Sequence, residues 1–342
     1  MMDQAIIEAA GMKVAFTLCS NNYLGAAKVL VESFKEFHPD FEVFIGLVDK
    51  PDGQIDYSSF GCTVLLAEDV PMPDINELSR KFNIVELNTT VKPFYFKHFF
   101  FTLHASQAIY LDPDIQVYAP LVEVMSGLNK AMITLTPHIL SPVDDEFTPN
   151  DKHILPTGIF NLGFIGLAKH EQLASFLDWW ADRCVKYGFR KEAEGLFYDQ
   201  VWMNYVPTFF ESYHIIRDPG YNVANWNLHE RMISANEDGT WWVNKKFKLA
   251  FFHFSHYNIN IPNKISSYNS RFTFENRPDI APIFKNYRER VLRNDGVNLK
   301  AIIPYYKEIN NKEKEQRTKE FYTFKRKLIN KFIGLVDKVI SD

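Results

Sequence analysis

The segment Gln107-Ala108-Ile109-Tyr110-Leu111-Asp112-Pro113-Asp114-Ile115-Gln116-Val117-Tyr118 reads as an apolar strand that ends in two aspartates one residue apart. Pro113 stiffens the turn between them. Two hard carboxylates held this close suit a hard divalent cation, which otherwise keeps its waters. A divalent cation beside an α/β sheet points to phosphate chemistry, because it can clamp and neutralise phosphoryl oxygens. The pair therefore predicts an enzyme acting on a phosphorylated or nucleotide-linked substrate. A plain acidic turn after a strand would look the same, so the surrounding elements have to decide.

Those elements favour an α/β sheet. Residues 13–20 form an apolar run of strand length. Residues 23–38 follow with Leu24, Ala27, Leu30, Val31 and Phe34 at helical spacing. Residues 41–48 are a second apolar run, closed by the turn Asp49-Lys50-Pro51-Asp52-Gly53. Strand, helix, strand at this spacing predicts a βαβ unit and a parallel sheet. Further strands are expected at 61–66, 131–136, 158–167 and 249–254, and helices at 74–82, 89–104 and 170–187. A short helix should open at Pro120. Residues 137–156 are polar and hold Pro137, Pro142, Pro149 and Pro156; a loop of that length commonly serves as a lid or binding loop.

The bulk numbers are compatible with an enzyme of this class. The chain has 342 residues, enough for one large domain or two modest ones, and a formal charge of −4, which argues against nucleic acid as its main partner. Residues 1–12 have neither the basic start nor the apolar run of a secretory signal, and no window reaches the roughly 18 apolar residues of a membrane span. Cys19, Cys62 and Cys184 are odd in number and not in a metal spacing, which suits a reducing, cytoplasmic setting. From Lys300 to Asp342 there are eleven Lys/Arg against six Asp/Glu. Phe321, Phe324, Leu328, Phe332, Leu335 and Val339 recur there every three or four residues, an apolar helical face. That tail is read either as a helix packed on the domain or as a basic amphipathic helix on an anionic membrane at the inner face.

Beyond these features the chain resembles the GT-A fold of nucleotide-sugar glycosyltransferases, most of all the family 8 group of glycogenin and lipopolysaccharide galactosyltransferases. The likeness covers roughly residues 13–257. It rests on Asn22-Tyr23 after the first strand, Tyr110-Leu111-Asp112-Pro113-Asp114, Phe160-Asn161-Leu162-Gly163-Phe164-Ile165-Gly166, Asp199-Gln200, and Phe252-His253-Phe254, in that order. It implies a Rossmann-like α/β fold: a mixed, mainly parallel sheet flanked by helices, with a helical C-terminal extension. The division expected is a GT-A domain at 1–299 and a basic amphipathic tail at 300–342.

The same resemblance implies a transferase that moves a sugar from a nucleoside diphosphate, UDP by family habit, to an acceptor hydroxyl with retention. Asp112, Asp114 and His253 would ligate Mn²⁺ or Mg²⁺; two carboxylates and an imidazole suit Mn²⁺ well. Thr17, Ser20, Asn22, Tyr23, Asn161 and Gly163 would meet the donor, and Lys92 or Lys97 could reach a phosphate as a point charge. Asp199 and Gln200 would sit at the sugar, where Asp199 could stabilise an oxocarbenium-like state. Tyr221, Asn222, Asn225 and Trp226 could hydrogen-bond and stack on an acceptor, a glycan or lipid-linked glycan. Each has a plainer alternative: a core histidine, solvated lysines, a helix-start aspartate, a Pro-Gly turn. A cytoplasmic enzyme with a basic tail suits surface-polysaccharide or glycolipid assembly.

The departures are specific. Ser20 and Asn21 stand where the family has an acidic residue that reads uracil, so the base stays open. The family's late motif runs from its histidine to Gly and then Lys-Pro-Trp; here His253 is followed by Phe254-Ser255-His256-Tyr257. The phosphate contact of that lysine must come from elsewhere, and His256 is either a further ligand or an acid. Two other readings remain: a sugar-phosphate nucleotidyltransferase, for which residues 19–23 lack a glycine-rich loop, and a catalytically silent sugar-nucleotide or glycan-binding module.

Overall fold

The computed structural model describes residues 11–311 together with 319, 321, 325 and 326. β1 (Lys13–Cys19), the helix Leu24–Phe37, β2 (Glu42–Leu47) and β3 (Thr63–Leu66) form the predicted parallel unit. β4 (Gln107–Leu111) pairs parallel with β1 on its other side. The seven-stranded sheet then continues through β7 (Phe160–Ala168) and β6 (Ile133–Pro137) to Tyr213–Ile215. β7 runs antiparallel to both β4 and β6, so the sheet is mixed, as expected.

Both faces are covered. On one side Phe16, Tyr110 and Ile165 pack with Phe96, Phe99 and Trp180. On the other their chain neighbours Ala15, Ile109 and Phe164 pack with Leu30 and Phe34 of the first helix. Successive residues of a strand point to opposite faces, and a sheet buried on both sides needs apolar residues at each. This explains why the strands read as unbroken apolar runs.

The expected helix at 89–104 is divided into Ile84–Thr90, Lys92–Lys97 and a π-helical turn at His98–Thr102. The first break falls at Val91, two residues before Pro93, which cannot donate to the preceding turn. The loop after β6 holds the short helix Asp151–Ile154 and is strapped down. Asp145 accepts from Arg271 Nε at 2.8 Å and Nη2 at 2.7 Å, and Ser141 Oγ donates to Glu230 at 2.6 Å.

The expected boundary at residue 300 falls inside the helix Gly296–Ala301. Beyond it Tyr305 N donates to Asp49 Oδ1 at 2.8 Å, Tyr306 is buried, and Asn310 Nδ2 donates to the Ser79 and Phe82 carbonyls. The start of the tail is therefore docked on the domain. Of its apolar face only Phe321 is described, and it is exposed; Phe324, Leu328, Phe332, Leu335 and Val339 lie outside the described residues.

Candidate metal and nucleotide site

β4 delivers Asp112 to the end of the sheet, where its N–H donates to Gly163 O of β7 at 2.8 Å. The chain turns there, with Ile115 N bonded to Asp112 O at 3.1 Å. It then enters β5 (Ile115–Val117), which belongs to a second, three-stranded sheet. In that sheet the strand Phe251–His253 pairs antiparallel with β5, and His253 lies opposite Ile115. Phe254 N donates to Asp114 O at 2.9 Å, so the register itself places the imidazole beside both carboxylates.

His253 Nε2 stands 3.1 Å from Asp114 Oδ1 and 3.5 Å from Asp112 Oδ2. One ligand atom from each of the three residues lies within 4.8 Å of the others. Tyr110 OH donates to the remaining Asp112 oxygen at 2.6 Å and so orients that carboxylate. Burial alone would lower the His253 pKa, but Asp114 and Asp112 outweigh it and raise it. Burial raises Asp112, while His253 carries Asp114 below the usual range against the same desolvation. Two carboxylates and one imidazole nitrogen converging in this way fit a divalent ion that accepts oxygen and nitrogen.

Gly163 makes room for the imidazole. A Cβ there would come within 2.5 Å of His253 Cε1 and 2.7 Å of Asn161 Oδ1. Asn161 Oδ1 accepts from Gly163 N and from Asn222 Nδ2, each at 3.1 Å. Asn161 Nδ2 donates to Gln200 Oε1, and Gln200 also accepts from Leu162 N at 2.8 Å and donates to Thr157 O at 2.8 Å. Both Asn161 and Gln200 thus have their amides engaged within the protein.

Lys92 does not point to an open phosphate position. Its ammonium is buried, 2.6 Å from Asp199 Oδ2, 3.0 Å from Leu162 O and 4.1 Å from the centre of the Tyr110 ring. Asp199 is equally buried, and its backbone carbonyl accepts from Trp180 Nε1 at 3.1 Å. Desolvation raises the Asp199 pKa although Lys92 opposes it. Lys97 is far from this group in character, paired with Asp178 at 2.6 Å on the helix Leu173–Tyr187.

The acceptor candidates divide. Tyr221 is core: it packs edge-on against Phe251, and its hydroxyl accepts from Glu123 N at 2.9 Å. Asn222 and Asn225 are buried, with their amides donated to Thr136 Oγ1 and Ser255 O. Trp226 does reach the metal group, edge-on to His253 with ring centres 5.3 Å apart. On its other side stands His138, 5.4 Å away and held neutral by burial with its pKa lowered to about 4. His138 had no signal in the sequence beyond being a histidine after a strand.

A cavity of about 330 Å³ opens beside Asp114. Asn22, Tyr23, His256, Lys264 and Lys300 line it. Burial lowers the His256 pKa while Asp114 raises it. Thr17 and Ser20 do not line it. Thr17 is buried within β1, and Ser20 Oγ is spent on Val48 O at 3.1 Å. Sequence reading missed Lys264 and Lys300, because neither lies near a motif.

No family model matches the chain. It is 26% identical over 180 residues to the uncharacterized protein YfnF of Bacillus subtilis (strain 168), covering 53% of this chain and 58% of that protein's length. It is 23% identical over 248 residues to YfnD of the same organism, covering 71% of this chain and 77% of the relative. Among solved structures it is similar to the galactosyltransferase LgtC in complex with donor and acceptor sugar analogs. That likeness has a TM-score of 0.46 and 13% identity over 87% of this chain and all of LgtC. The glycosyltransferase GlyE of Streptococcus pneumoniae TIGR4 gives 0.46 and 11%, covering 84% of this chain and 64% of that one. The bifunctional WbbM gives 0.45 and 11%, covering 83% and 52%.

Proposed function

We propose that the chain is a metal-dependent glycosyltransferase that moves a sugar from a nucleoside diphosphate to an acceptor hydroxyl. The observation that carries this is the convergence of Asp112, Asp114 and His253, with Asp114 on the wall of the 330 Å³ cavity. Mn²⁺ or Mg²⁺ would be held by these three side chains. A bound divalent ion supplies neutralisation of the negative charge that grows on the departing diphosphate, where stabilisation accelerates the reaction.

The chain's own residues do the rest. Tyr110 fixes Asp112, Gly163 lets His253 approach, and Asn161 with Gln200 braces β7, the strand that carries Gly163. Tyr23, exposed in the cavity, offers a ring face to a nucleotide base. Asp199 presents a buried carboxylate near Asp112, already compensated by Lys92. Trp226 adds an aromatic wall beside His253. Retention of configuration, a UDP-sugar donor, and a place in surface-polysaccharide or glycolipid assembly complete the proposal, by the family likeness. No described helix is long and apolar enough to cross a membrane.

The test is donor hydrolysis over a panel of nucleotide sugars, with Mn²⁺ and with chelator, for the wild type and Asp114→Ala. Release of one nucleoside diphosphate, dependent on metal and lost in the variant, is the expected result. Hydrolysis unaffected by chelator or by the substitution would sink the metal-dependent reading. Calorimetric binding of the same panel without turnover would instead favour a silent binding module.

A further inference from the structure

The cavity beside Asp114 carries two cations that the metal group does not account for. Lys264 and Lys300 both line it and both are exposed. Lys300 Nζ lies 3.5 Å from the centre of the Tyr23 ring. Among the described residues neither lysine forms an ion pair with a carboxylate within 4.0 Å. A ring face holds an exposed ammonium less strongly than a charge-assisted hydrogen bond does. An anion entering the cavity therefore has two ammonium groups to gain.

The position of Lys300 is built into the fold. A Cβ on Gly25 of the first helix would lie 2.7 Å from Gly296 Cα. A Cβ on Gly296 would lie 2.4 Å from Val291 Cγ1 and 2.6 Å from Val291 O. Gly25 lets the Gly296–Ala301 helix come this close to the first helix, Gly296 lets it turn back tightly on Val291, and this placement sets Lys300 over Tyr23. The bonds of Tyr305 and Asn310 then hold the following segment down.

We propose that Lys300, with Lys264 beside it, binds the diphosphate of the nucleotide donor, so that the C-terminal segment completes the donor site. The inference rests on the donor reading above. Asp114 and Lys300 face one cavity: the acidic wall holds the cation and the basic wall takes the phosphate oxygens that the cation leaves free. The lysine absent after His253 is thus replaced from a different part of the chain.

Calorimetry on the full chain with Mn²⁺ tests this, using UDP, GDP, CDP, ADP and dTDP as probes. The diphosphate that binds the wild type should bind Lys300→Met at least tenfold more weakly and Lys264→Met several-fold more weakly. Lys300→Arg should restore most of the affinity. Mn²⁺ affinity without nucleotide, read by electron paramagnetic resonance, should be unchanged. Undiminished diphosphate affinity in Lys300→Met, or a loss matched by equal loss of Mn²⁺ affinity, overturns the inference while leaving the donor reading intact. A wild type that binds none of the diphosphates sinks both.

Discussion

Lys92 Nζ and Asp199 Oδ2 stand 2.6 Å apart with both side chains almost fully buried, at 1% and 3% exposure. The pair joins the helix Lys92–Lys97 to the segment after the long helix Leu173–Tyr187, and it extends through Tyr110 to Asp112. Removing one partner of a buried ion pair leaves an uncompensated charge, at a cost of about 3–5 kcal/mol. Lys92→Met should therefore lose stability on that scale in urea unfolding. Lys92→Met combined with Asp199→Leu should lose markedly less than the sum of the two single changes. Additive losses would show that the two charges do not act as a unit.

Gly163 supports the metal group by lacking a side chain. In Gly163→Ala the new methyl would clash with the His253 ring, coming within 2.5 Å of its Cε1. The His253 ring must then turn or its strand must shift. Disturbing the surroundings that orient a metal ligand typically costs ~10–100-fold in metal affinity. Mn²⁺ titration followed by electron paramagnetic resonance should show that loss, with the far-ultraviolet circular dichroism of the wild type retained. Wild-type Mn²⁺ affinity in Gly163→Ala would remove His253 from the ligand set.

What was legible in the sequence was local. The runs at 13–20 and 41–48 and the helical spacing of Leu24 to Phe34 carried the βαβ unit, because burial on both sheet faces leaves a continuous apolar signal. Asp112 and Asp114 were visible because both acids leave one strand end. His253 entered through family likeness; its place beside them is set by pairing of two short strands far apart in the chain, which no local period records. Lys92 looks like any lysine at a helix start until Asp199 is brought to it. Lys300 reads as the first charge of a basic tail, and only the contact of Gly25 with Gly296 shows that it belongs to the cavity. Tyr221 lies in a segment rich in turn residues, yet packing against Phe251 makes it core.

His38 gives the fold a pH dependence away from the metal group. It ends the first helix, is buried, and its Nε2 accepts from Leu121 N at 3.0 Å, so that nitrogen must be unprotonated. Burial lowers its pKa below the ordinary 6.5, with Asp40 opposing. A base whose folded pKa is depressed binds its proton more readily when unfolded. Its contribution is therefore complete above about pH 6.5 and is lost as pH falls toward the folded value, by at most about 1.4 kcal/mol per pH unit. Urea midpoints measured between pH 7.5 and 5.5 should fall for the wild type. His38→Gln keeps an acceptor for Leu121 N without a titrating ring, so its decline over that range should be shallower. The comparison cancels the other histidines, His98, His138 and His256, whose pKa values burial also lowers. Equal slopes for the two proteins would mean that protonated His38 is accommodated without loss of the Leu121 bond.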